Sequence, residues 1–349
     1  MLSIRPLKYL LAYSLPALAY LAFHSHGWVT FAPMIEAFVL IPLFEVFLRP
    51  SKGNLSEIEE EMIKEDPVYD WMIYVSVPIT FFLAFDFFTA IQEIGLTTTE
   101  KVGRITSMGM ICGTLGINVG HELGHRKKAF ERVLAKMLLL SSFYMHFYIE
   151  HNRGHHKNVS TPEDPASALY GQTVFGFWFK SIVRSYFSAW RLEFDRMHKI
   201  GQSRFSLKNQ MLIFQLIQLG VALFIGSYFG WIVMGYYLLA ALMGILLLET
   251  VNYIEHYGLT RKQVSAGRYE RVMPHHSWNS NHPVGRLMLF ELSRHSDHHY
   301  LASRKYQVLK NYEEAPSMPT GYPGMMVLAL FPPLWFQVMH GQMKKLELA

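Results

Sequence analysis

The stretch Glu150-His151-Asn152-Arg153-Gly154-His155-His156 carries three imidazoles within six residues. Wound as an α-helix, it makes His151 and His155 i,i+4 neighbours on one face, with His156 about 100° further round. One face then grips one metal ion while the adjacent histidine reaches for another. A lone histidine beside aromatic residues is ordinarily a core residue, whereas three at this spacing read as ligands.

Three further stretches extend the pattern. His121-Glu122-Leu123-Gly124-His125 places two histidines on one helix face around an acid. His256 lies within Asn252-Tyr253-Ile254-Glu255-His256-Tyr257-Gly258-Leu259, and His295-Ser296-Asp297-His298-His299 repeats a spaced histidine followed by a pair. Together they supply nine imidazoles: His121, His125, His151, His155, His156, His256, His295, His298 and His299. A structural zinc takes four ligands and a catalytic zinc three plus water. Nine suits two ions of higher coordination, and imidazole alone does not name the metal.

Neutral imidazoles leave a metal's charge uncompensated, so acids are expected behind them, accepting the outer ring N–H. Glu122, Glu150, Glu255, Asp297 and Glu291 lie in or beside the clusters. Asp164, in the Pro-bounded Thr161–Ser167 segment, is a further candidate and reads equally as a turn residue. A sequence neighbour on a helix points away, so each acid is expected to serve a histidine of another cluster. His275 and His276 are read as loop residues near the site, not ligands.

The rest of the chain explains where the clusters sit. Of 349 residues, 51% are hydrophobic and 17% charged, against about a quarter charged in soluble domains. Six membrane spans are expected, at 7–23, 28–48, 69–91, 102–120, 209–229 and 231–253. The first also has the charge pattern of a signal peptide, but it is long for one and a second span follows at once. Glu36 and Glu45 in the second span are costly in lipid and should face protein or water, and the third span contains Asp86. Glycines 103, 109, 113, 116 and 120 in the fourth span suit close helix packing. Segment 171–190 reads as interfacial, and 324–340, with Pro332 and Pro333, as a weak span.

Lys and Arg gather in loops 49–68, 121–208 and 254–349 and are absent from 24–27 and 228–231. Both termini are therefore expected in the cytoplasm, and all four histidine stretches fall on that side. The chain reads as one all-α integral membrane domain, residues 1–349, with its catalytic parts at 121–208 and 254–349. The net charge of +5 belongs to this topology and not to nucleic-acid binding. A single cysteine, Cys112, excludes an internal disulfide and a cysteine-held cluster.

With these motifs in view, the chain resembles the membrane-bound alkane monooxygenase (alkane hydroxylase) family, relatives of the membrane fatty acid desaturases. The matching stretches are HELGH (121–125), EHNRGHH with TPEDPAS (150–167), NYIEHYGL (252–259) and RHSDHH (294–299). Arg126 stands where Lys is expected and Ser293 where Gln is common; neither change removes a ligand. The resemblance implies a non-haem di-iron enzyme of the bacterial inner membrane with the nine histidines as iron ligands. It would use O2 to convert medium-length linear alkanes to 1-alkanols. Electrons would come from rubredoxin, itself reduced by an NADH-dependent reductase. With one cysteine, this chain would take rubredoxin in trans. The rival readings are a desaturase, an intramembrane zinc protease using His121, Glu122 and His125, and a metal transporter or haem carrier. The protease leaves seven histidines unexplained, and the last would need ligands deep in the bilayer.

Overall fold

The computed structural model describes residues 5–348. Four helices are long and apolar enough to cross a membrane: α2 (Gly27–Phe47), α4 (Pro67–Ala90), α9 (Gln210–Tyr228) and α10 (Trp231–His256). The segment expected as the first span divides into 3-10 turns, Arg5–Tyr13, and a short helix α1, Ser14–Phe23. The fourth becomes α5 (Thr98–Ile111), which runs on through a π-helical stretch, Cys112–Val119, into Gly120–Gly124. Between the spans, α3 (Glu57–Lys64) opens on a Ser56 capping box. Caps set the other starts: Asp66 Oδ1 accepts from Val68 N at 3.0 Å and Asn209 Oδ1 from Leu212 N at 3.1 Å.

Apolar side chains cover much of the outer surface. Leu43, Phe44, Phe82, Phe85, Leu219, Phe224, Leu239 and Leu242 are exposed on these helices. In water such a patch would drive association; on a membrane protein it faces lipid. The acids of the second span sit inward as expected. Glu45 is buried and accepts the Gly285 N–H at 2.7 Å, Glu36 is half-buried, and Asp86 meets His24 at 3.0 Å.

The π-helical stretch after α5 packs along α10 at its glycines. A Cβ on Gly244 would lie 2.7 Å from Cys112 Cβ and 3.0 Å from Gly113 N. Two backbones therefore touch there, and both helices deliver their C-terminal ends to one place. Beyond α5 come α6 (Ala129–Leu140) and α7 (Phe147–Glu150), which continues through a π turn, His151–His155, to Asn158. The segment read as interfacial, 171–190, falls largely in α8 (Val174–Lys199). After α10, a hairpin pairs Gln263–Ser265 with Arg268–Tyr269. Then follow α11 (Pro283–Met288), α12 (His295–Tyr300), α13 (Tyr322–Ala329) and α14 (Pro332–Lys345). The weak span at 324–340 is thus two helices, parted where Pro332 cannot continue a helix.

Candidate metal centre

Four elements bring the nine histidines together. His121 and His125 come from the end of the α5 run, His256 from the end of α10, His151 and His155 from the π turn with His156 directly after it, and His295, His298 and His299 from α12. They divide into two groups: His121, His125, His151, His156 and His298 in one, and His155, His256, His295 and His299 in the other. Each group's nitrogens lie within 4.8 Å of one another.

The π turn corrects the expected partition. On an α-helix His151 and His155 would share an ion. The turn winds on i→i+5 hydrogen bonds, so His151 meets His156 instead, Nε2 to Nε2 at 3.0 Å. His155 turns to the second group, 3.1 Å from His299 Nε2.

The spacing tests whether a metal fits. In the first group the Nε2 contacts are His121–His298 at 2.9 Å, His298–His156 at 3.1 Å and His151–His125 at 3.1 Å. In the second, His295 lies 3.2 Å from His256 and 2.8 Å from His299. A neutral imidazole carries one N–H, so such chains of facing nitrogens cannot all be satisfied by hydrogen bonds. A cation at about 2.1 Å from each nitrogen, with ligands at right angles, sets neighbours about 3.0 Å apart; a tetrahedron would set them about 3.4 Å apart. Both groups are therefore spaced to close round a cation. Burial pushes His121, His151, His298 and His299 well below their ordinary pKa, and His125 to about 3. These rings are neutral, as metal binding requires.

Of the expected acids, Asp164 and Glu255 reach imidazoles. Asp164 Oδ2 lies 2.9 Å from His155 Nδ1 and also accepts from Ser167 Oγ at 2.6 Å. Burial alone would lower His155; the Asp164 carboxylate outweighs it and raises the ring above its usual value. Glu255 Oε2 stands 3.2 Å from His295 Nε2, the ion-facing nitrogen, and Tyr322 OH donates to Oε1 at 2.8 Å. Tyr322 went unnoticed in the sequence, because nothing in its local pattern marks it.

The other acids are taken up elsewhere. Glu122 pairs with Arg126 at 2.8 Å and accepts from Tyr306 N at 3.2 Å, which leaves the zinc-protease reading without its base. Glu150 Oε1 accepts from Ser188 at 3.4 Å. Asp297 is held by Arg304 at 2.8 Å and by the Lys310 N–H at 2.7 Å. Glu291 binds Lys8, Tyr9 and Arg286. Glu270, His275 and His276 form a third cluster. There His276 Nδ1 accepts from Met273 N at 2.9 Å, leaving the proton on Nε2, 3.3 Å from Glu270 Oε1.

An apolar cavity adjoins the imidazoles. His121, His151, His295, Glu255 and Asn252 close one end; Leu15, Phe38, Ile41, Met110, Leu247 and Met288 belong to its apolar lining. No Lys or Arg lines it among the described residues.

A protein-family profile described as "Fatty acid desaturase" matches residues 102–340. Alkane 1-monooxygenase 1 of Pseudomonas aeruginosa is 40% identical over 99% of this chain and 92% of its own length. The chain belongs to the alkane 1-monooxygenase family. A second member, alkane 1-monooxygenase 1 of Alcanivorax borkumensis, is 37% identical over 88% of this chain and 78% of its own. The similarity extends to the xylene/toluene monooxygenase hydroxylase component of Pseudomonas putida, at 31% identity over 68% of this chain and 63% of that one. The alkane 1-monooxygenase matches span the membrane helices as well as the histidine stretches, so relatedness is not confined to the metal-binding motifs.

Proposed function

We propose that this alkane 1-monooxygenase family member hydroxylates the terminal carbon of medium-chain linear alkanes, using O2 and two iron ions. The observation that carries the reading is the apolar cavity ending on two imidazole clusters. An alkane offers no polar handle, so it is selected by shape and by exclusion of water. The lining of Leu15, Ile41, Met110 and Leu247 meets both needs. It would hold the chain lengthwise and bring one methyl group to the histidine end.

His121, His125, His151, His156 and His298 would hold one ion, and His155, His256, His295 and His299 the other. When bound, the irons supply O2 reduction, placing one oxygen atom in the substrate and the other in water. Asp164 would fix the His155 ring and its tautomer, and Glu255, at ligand-like distance from His295 Nε2, would add an oxygen donor to the four-imidazole group. Glu122, Glu150 and Asp297 would act on the loops that carry the ligands, through Arg126, Ser188 and Arg304.

Electrons would come from rubredoxin, reduced by an NADH-dependent reductase. The enzyme would lie in the bacterial inner membrane with six spans and its histidine face in the cytoplasm. A desaturase acting on a fatty acyl carboxylate is disfavoured because the cavity gives that charge no basic partner. The test is purified protein with octane, 18O2, rubredoxin, its reductase and NADH. One labelled oxygen in 1-octanol is expected. Octene, or alcohol carrying oxygen from water, would overturn the reading.

A further inference from the structure

A second, open cavity of mixed polar and apolar lining lies at the start of the Arg5–Tyr13 turns, beside α12. Arg5, Lys8, Arg286 and Arg294 line it against two carboxylates, Glu59 and Glu291. Arg5 pairs with Glu59 at 2.9 Å. Lys8 and Arg286 share Glu291, at 3.2 Å and 2.6 Å. Arg294 forms no ion pair among the described residues. Its terminal nitrogens donate to the Gly53 and Leu309 carbonyls at 2.8 Å and 2.7 Å. Its Nε is buried with no hydrogen-bond partner, in a side chain only 4% exposed. The cavity therefore has an excess of two positive charges and an unanswered guanidinium N–H, which costs free energy unless an anion meets it.

The surroundings indicate which anion. Leu7, Leu10 and Leu11, on the turns that carry Lys8, are exposed. So are Ile58 and Met62, one helical turn apart on α3, which brings Glu59 and Ile63 to the cavity. Exposed apolar side chains thus lie on both elements that bring Arg5, Lys8 and Glu59 to the cavity, as at the boundary between lipid tails and headgroups. Arg and Lys recognise phosphate oxygens, Arg through its planar fork, and basic pockets at this level hold anionic headgroups.

We propose that this cavity seats the phosphodiester headgroup of an anionic phospholipid. The headgroup neutralises Arg294, which immediately precedes His295, and so ties the loop around Gly53 to the helix carrying three of the nine imidazoles. The site is distinct from the alkane cavity and does not depend on the reaction proposed above.

Native mass spectrometry of the full chain in detergent tests it, with phosphatidylglycerol, phosphatidylcholine and inorganic phosphate as separate probes. Both lipids carry the phosphodiester, but the choline cation of phosphatidylcholine would meet the cavity's excess positive charge, so phosphatidylglycerol is expected to be retained about tenfold more. Lys8→Gln and Arg286→Gln should each cut that retention severalfold; Lys8, 47% exposed, can be changed without disturbing packing. Equal retention of the two lipids would overturn the proposal, as would retention unchanged in Lys8→Gln. Thermal stabilisation by inorganic phosphate without phosphatidylglycerol retention would assign the cavity to a soluble phosphate compound and overturn it also.

Discussion

Replacing Asp164 with Asn should loosen one metal ion and leave the other in place. Asp164 and His155 are both buried, and the carboxylate accepts from His155 Nδ1 at 2.9 Å, Ser167 Oγ at 2.6 Å and Ala166 N at 3.1 Å. Asn keeps an oxygen for the loop contacts but loses the charge that steadies the imidazole. A charge-assisted bond of this kind contributes about 1.5–3 kcal/mol. The full penalty of a broken buried pair, about 3–5 kcal/mol, does not apply, because His155 can shed its proton. About 2 kcal/mol corresponds to about a 30-fold loss of affinity, within the about 10–100-fold usual for such outer partners. The loss should fall on the group containing His155. The assay is metal content against rising chelator, read by mass spectrometry of the released ions. The variant should lose one ion at about 30-fold lower chelator while the second follows the wild-type curve. If both ions left together, or the curve did not move, the assignment of Asp164 and the division into two groups would be wrong.

Three further outcomes follow from packing and charge. Gly244→Val should destabilise the fold by about 1–3 kcal/mol or more, since its Cβ would strike Cys112 at 2.7 Å. Gly235→Val, with nothing within 4 Å, is the control, and equal melting temperatures would refute the close helix contact. Met110 lines the cavity eleven residues before His121 on the same helical run, so Met110→Ala should admit an alkane about two methylenes longer, each contributing about 0.8 kcal/mol. An unchanged product-length profile would show that Met110 does not limit the chain. Burial would raise Glu291, but the facing Arg286, Lys8 and Arg294 outweigh it and hold its carboxyl below the ordinary range. That stability is present above the unfolded carboxylate pKa and lost as pH falls through the folded one. Wild type should therefore lose more stability than Glu291→Gln on acidification, and parallel acid melting curves would contradict this.

The candidate ligands were legible because histidine spacing survives any helical winding. Their grouping was not: His151 pairs with His156 only because the backbone there is π-helical, and no residue type announces that. Asp164 was indistinguishable from a turn residue, since its histidine lies nine positions away across a loop. Glu122 looked like a metal-site acid until Arg126 and Tyr306 were seen to occupy it. The apolar segments at 28–48, 69–91, 209–229 and 231–253 were readable from hydropathy, and four helices long and apolar enough to cross a membrane occupy them. The basic cavity was invisible in the sequence, because Lys8 and Arg294 meet only through tertiary folding.

Metal counting on the purified chain, paired with X-ray absorption at the metal edge, tests the central claim most directly. The account predicts two ions per chain, both iron, each surrounded mainly by nitrogen at about 2.1 Å. A single ion per chain, or two in tetrahedral sites, would contradict it.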